Sequence, residues 1–147
     1  MYFLNEGSID LPDDWYDQSI NVISVAPPGT PGLTFTIARD LIPWGMEFTD
    51  YIANQLDKSH QALTNFDMLG KRALRVAADT PTGDTPAVEV ECLWDSQFGP
   101  VHQIIQTTQN KQMALIVTAS MKGRMNDTQL AQVRRVLATL SLKRPEV

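Results

Sequence analysis

The nine residues VHQIIQTTQ, Val101 to Gln109, constrain this chain more than any other stretch. Neighbouring side chains on a strand point to opposite faces, so Val101, Gln103, Ile105 and Thr107 share one side, and His102, Ile104, Gln106 and Thr108 the other. Each side carries an aliphatic residue and a glutamine. QSINVISV, Gln18 to Val25, behaves the same way, with Ile20 and Val22 pointing opposite to Ile23 and Val25. A strand that is apolar on both faces needs cover on both. Two helices laid on one side of the sheet would leave the other as a binding surface. A strongly twisted sheet would instead bury parts of both, and the pattern leaves the two arrangements open.

The order of elements follows from period and turn chemistry. A first strand is expected from Tyr2 to Leu11, ended by Pro12 and the Asp13-Asp14 turn. The second, Gln18 to Val25, is rich in β-branched residues. APPGTPG, Ala26 to Gly32, holds three prolines and is read as a loop, because proline fixes φ and lacks an N–H donor. LTFTIARD, Leu33 to Asp40, alternates apolar and hydroxyl side chains and completes a hairpin with the second strand. IPWGMEF opens a helix that gives way near Thr64-Asn65 to an extended run through MLGKRALRVAAD. Three further strands, Ala87 to Trp94, Val101 to Gln109 and Met113 to Ser120, are joined by short turns and predict an antiparallel meander. In NDTQLAQVRRVLATL, Asn126 and Gln129 have capping-box spacing, and Leu130, Val133, Val136, Leu137 and Leu140 form one apolar face. The expectation is a single α+β domain over 1–147, with a long helix after the third strand and a second helix near the C-terminal end.

The long helix, FTDYIANQLDKSHQAL from Phe48 to Leu63, carries an anomaly. At about 100° per residue, Phe48, Tyr51, Ile52, Leu56, Ala62 and Leu63 share one face, with Asp50, Asn54, Asp57 and Gln61 opposite. Gln55 and Ser59 fall in the middle of the apolar face. Either they are satisfied inside the fold or they mark a place where another helix docks.

Little in the sequence points to catalysis. The 147 residues carry 12 basic and 17 acidic side chains, a formal charge of -5, and the bases are scattered, which argues against a phosphate-tracking surface and a nucleic-acid partner. No apolar run approaches the ~20 residues of a membrane span, and the start MYFLNEGSIDLP lacks a basic region followed by an apolar one. These features predict a cytoplasmic protein with no stable membrane insertion. Cys92 stands alone and follows Val88 and Val90 at strand period, which predicts a buried, inert thiol. No Cys/His spacing suits a metal, no Gly-rich strand-to-helix turn suits a nucleotide, and His102 has no evident nucleophilic partner. Glu89-x-Glu91 reads as a solvated strand face, and Trp15, Trp44 and Trp94 as core or edge anchors. No cofactor, metal or catalytic residue is expected, and the chain is read as a non-enzyme.

Three passages carry a resemblance. NEGSIDLPDDWYDQSINVISV, LTFTIARDLIPWGMEF and the VHQ that opens a later strand resemble the corresponding parts of DcrB-like proteins, in particular the Eag chaperones of type VI secretion, over nearly the whole chain. The resemblance implies a Mog/PsbP-like twisted antiparallel sheet, a homodimer, and a role in shielding the N-terminal transmembrane helices of a PAAR-containing or Rhs effector before export. It also implies a cradle for those helices. Ile20, Val22, Phe35 and Ile37 would supply its aliphatic face, with Leu63 and Ile105 beside them, and Gln55, Ser59 and Gln103 would offer the hydrogen bonds that membrane helices make to one another. The competing readings are a DcrB-like scaffold with another partner and a small-ligand-binding protein with a pocket beside the tryptophans.

Overall fold

The computed structural model describes residues 1–26 and 32–143. Most of the proline-rich loop, 27–31, lies outside the described residues, so its predicted conformation stays an expectation. In chain order the elements are β1 (Tyr2–Phe3), β2 (Ser8–Ile9), β3 (Asn21–Ser24), β4 (Thr34–Leu41), α1 (Phe48–Ala62), β5 (Thr64–Ala77), β6 (Asp84–Ser96), β7 (Gly99–Asn110), β8 (Met113–Lys122) and α2 (Asp127–Ala138). Six strands form one antiparallel sheet in the order β3-β4-β8-β7-β6-β5. The architecture is α+β, with the β3–β4 hairpin and the β6–β7–β8 meander that the alternation predicted.

The sequence expectation of one long first strand does not hold. Leu4 N–H donates to the Gly7 carbonyl at 2.8 Å, the chain turns, and Tyr2–Phe3 pairs with Ser8–Ile9 in a separate two-stranded sheet. Glu6-Gly7 interrupts the run with a turn residue that has little to gain from extension. α1 therefore follows the fourth strand rather than the third.

The two helices pack on opposite faces of the sheet, which corrects the arrangement with both on one side. On one face, α2 sets Val133 and Leu137 onto Leu33, Phe35, Ile104, Val117 and Ala119, closed at one end by Met125. On the other, α1 sets Phe48, Tyr51 and Ile52 onto Ala114, with Leu56, Val88 and Ile116 packed around them. The doubly apolar strands divide differently: in β7, Ile104 enters the α2 core while Ile105 stays half-buried on the other face, and β3 with its flanks, at the edge of the sheet, is exposed on both faces at Ile20, Val22, Ile23 and Val25. Asn126 caps α2 through its side chain, accepting from Gln129 N–H at 2.8 Å, while the Gln129 side chain accepts from Asn126 N–H at 2.9 Å. α1 is tied to β4 by the Tyr51 hydroxyl, which donates to Asp40 at 2.6 Å. After α2 the chain returns to the end of β5, where Leu142 N–H donates to the Ala77 carbonyl at 2.7 Å.

Candidate functional site

Cross-strand pairing decides which residues share the α1 face. Val22 pairs with Thr36, Thr36 with Thr118, Thr118 with Ile105, and Ile105 with Val90, so these side chains form one row across the sheet. The neighbouring row is Ser24, Thr34, Ser120, Gln103 and Cys92. α1 reaches only as far as Val88, Ile116 and Ala114, one step further along the strands. The two rows beyond it are left partly open. Val22 is 65% exposed, and Thr36, Thr118, Ile105, Thr34, Ser120 and Gln103 are half-buried. Ile20, just before β3, lines a cleft with Ala38 of the same face.

Phe35 and Ile37 do not belong to this surface. Phe35 pairs with Ile23 and Ala119 and lies in the α2 core, and Ile37 packs against the same cluster. The error is one of parity: Val22 lies opposite Thr36, so the apolar residues of β4 point away from Val22. In place of two aliphatics, β4 offers Thr34 and Thr36. The hydroxyls at every second position in LTFTIA and again at Thr118 and Ser120 were the signal available for this in the sequence.

The sheet-facing stripe of α1 changes along its length. Phe48, Tyr51 and Ile52 are buried, whereas Gln55, Leu56, Ser59 and Leu63 are only half-buried. Neither the Gln55 amide nor the Ser59 hydroxyl has a hydrogen-bond partner among the described residues. Gln103 differs. Its Oε1 accepts from Trp94 Nε1 at 2.9 Å and its Nε2 donates to Ser120 Oγ at 3.0 Å, leaving one amide hydrogen uncommitted. Gln103 is thus held by its own sheet in a fixed orientation beside Ile105.

The opposite face carries a charged cluster where the sequence predicts a solvated strand surface. Glu89 is buried, contacted by Arg72 at 2.8 Å and by Arg134 of α2 at 3.3 Å. Glu91 accepts from Arg134 at 2.8 Å and from Nε2 of the buried His102 at 2.9 Å, while Met125 N–H donates to His102 Nδ1 at 2.9 Å. Both imidazole nitrogens are occupied, and the donor on one side with the acceptor on the other defines the neutral Nε2–H form. The carboxylates anchor α2 and neutralise two arginines. On the other side of β6, Cys92 is fully buried, and burial together with the Glu91 charge pushes its thiol up to about 11, which leaves it a poor nucleophile. Among the described residues no group of His, Cys, Asp and Glu could hold a metal ion. Trp15 and Trp44 are exposed rather than anchored in the core, and Trp94 alone is part of the sheet surface.

Comparison with known proteins places this fold in a family. The DcrB family model matches residues 6–139, so the chain belongs to the DcrB family. It is 35% identical over 69 residues to Effector EagT6 of Pseudomonas aeruginosa, an alignment spanning 46% of this chain and 48% of that protein. A crystal structure of a Pseudomonas aeruginosa protein of unknown function, PA94, superposes with a TM-score of 0.79 at 24% identity, covering 99% of this chain and 96% of that one. That likeness concerns the fold alone. The solution structure of cyanobacterial PsbP from Synechocystis, at a TM-score of 0.45 and 12% identity over 84% of this chain and 79% of that one, is more distant. No helix among the described residues is long and apolar enough to cross a membrane.

Proposed function

We propose that this chain is a chaperone of a type VI secretion effector, binding the N-terminal transmembrane helices of a PAAR or Rhs protein in the cytoplasm before export. The observation that carries the reading is the pair of rows that stay partly open from β3 to β7, lined by Val22, Ile105 and small hydroxyls and closed only at Val90 and Cys92 of β6, together with the unpartnered Gln55 and Ser59 of α1. Membership of the DcrB family and the partial match to EagT6 support the same partner class. A client helix presents ~20 apolar residues that would aggregate in water. Small side chains on the sheet let its backbone approach closely, and the two glutamines and the serine offer hydrogen bonds worth about 1 kcal/mol each in such packing. Binding of this kind uses no cofactor and no turnover.

The dimensions favour a homodimer. Four strands spaced about 4.8 Å apart make a strip about 15 Å wide, roughly half the about 30 Å of a membrane-spanning helix, so two copies are needed to cover one client segment.

Co-expression with the N-terminal fragment of a candidate effector tests the reading. Gln55→Ala is expected to lower the recovered complex about fivefold, the equivalent of one hydrogen bond, with the melting temperature unchanged. A lowered melting temperature with undiminished capture would make Gln55 a purely structural residue. A fragment that stays equally soluble without this chain would end the chaperone reading.

A further inference from the structure

The net charge of this chain comes from one end. Residues 1–38 contain Glu6, Asp10, Asp13, Asp14 and Asp17 and no Lys, Arg or His, while the rest balances 12 acids against 12 Lys and Arg. The whole formal charge of -5 therefore sits on the arm that leads into β3.

That arm is also the most apolar exposed part of the described structure. Tyr2, Leu11, Trp15 and Tyr16 line a cleft of about 220 Å³ rimmed by Asp13 and Asp17. A second cleft, of about 700 Å³, shares Tyr16 and Asp17 with the first and continues past Ile20 to Ala38, Leu41 and Met113. Ile20 and Ala38 border the open rows of the sheet, and Tyr16 and Asp17 line both clefts, so the two adjoin in a channel that leads from the proposed helix-binding face to the arm. Its inner end is fixed by hydrogen bonds. Arg39 Nη1 donates to Asn21 Oδ1 at 2.6 Å and to the Ser19 carbonyl at 3.3 Å, and Asp17 accepts from Ser19 and Tyr2. Hydrogen bonds from Ser19 hold the Asp17 carboxyl below the usual range, with help from Tyr2 and Arg39, so it stays charged. Arg39 is the single base lining either cleft, against Asp13, Asp17 and Asp40.

We infer that this acid-rimmed channel receives the basic segment that adjoins the client's apolar helix. The inference rests on the proposed function and adds to it the chemistry of the flank. Helices that span membranes carry Lys and Arg just beyond their cytoplasmic ends. Such a segment pairs aliphatic stems with charged heads, the complement of aromatic walls under a carboxylate rim. With the helix on the sheet and its basic flank in the channel, the arm fixes which way round the helix lies.

The test uses the full chain and two labelled model peptides with the same ~20-residue Leu/Ala helix, one flanked by Lys-Lys-Arg and one by Ser-Gly-Ser, with binding read by fluorescence anisotropy in low and high salt. The basic-flanked peptide is expected to bind about fivefold tighter in low salt, with the preference lost in high salt and in an Asp13→Asn, Asp17→Asn variant, which neutralises the rim of the first cleft. The Asp13 carboxylate makes no hydrogen bond among the described residues, and an amide at position 17 keeps an oxygen that can accept from Ser19 and Tyr2, so the variant's melting temperature is expected to match that of the parent chain. Equal binding of the two peptides, or a preference that survives the double substitution, overturns the channel and leaves the chaperone reading intact. Binding of neither peptide overturns both.

Discussion

Glu91 ties three elements together with one carboxylate. It accepts from Arg134 of α2 and from His102 of β7, and His102 in turn accepts from the backbone of Met125, which leads into α2. Burial raises the Glu91 pKa, but hydrogen bonds from His102 and Arg134 outweigh that effect and hold it below its ordinary 4.5. A depressed carboxylate contributes stability that is complete above the unfolded value and is lost as pH falls through the folded one. Glu91→Gln is therefore expected to cost about 1–2 kcal/mol at pH 7, and the gap from the parent chain should close as the solution is taken below pH 4.5. Urea unfolding at pH 7 and again in acid measures both. A gap of equal size at the two pH values would mean that packing of the side chain, not its charge, is what Glu91 contributes.

The elements rest on local signals of unequal strength. α2 has the clearest one, the reciprocal bonds between Asn126 and Gln129. Asn126→Ala removes a side-chain acceptor from the first turn and frees the Gln129 side chain, with an expected loss of about 1 kcal/mol in thermal or denaturant unfolding. This helix, α1 and the β6–β7–β8 meander were legible because period, cap and turn are properties of short stretches. Within β7 the sequence also sorted the two faces correctly, since parity along one strand is automatic. It could not say how one strand's parity maps onto another's. That depends on register: Val22 meets Thr36, not Phe35, and a shift of one residue would exchange the two faces of β4. The same gap hid the side on which each helix lies. The pairing of Glu89 and Glu91 escapes the sequence for a related reason, because the arginines that cover them come from β5 and from α2, 17 and 43 or more residues away.

At the scale of the whole molecule, the two helices close unequal shares of the two faces of one sheet. The α2 face is closed by apolar side chains from Leu33 to Leu137 except along the edge strand β3, where Ile23 and Val25 are exposed, and the α1 face is closed only over its first helical turns. This division makes substitutions on neighbouring strands act in opposite ways. Val22 and Phe35 lie on adjacent strands, but Val22 is 65% exposed on the open face and Phe35 is 9% exposed beneath α2. Phe35→Ala opens a cavity in the core and is expected to cost about 3–5 kcal/mol, lowering the melting temperature steeply while leaving the open rows chemically unchanged. Val22→Asp costs the fold little, because the new carboxylate reaches water, yet it sets an unpaired charge against any apolar helix laid on the sheet. Capture of the effector fragment by Val22→Asp is expected to fall at least about tenfold at an unchanged melting temperature. The two measurements taken together separate fold from function: if Val22→Asp melts early, or if it captures the client as well as the parent chain does, the open rows are not where the helix lies.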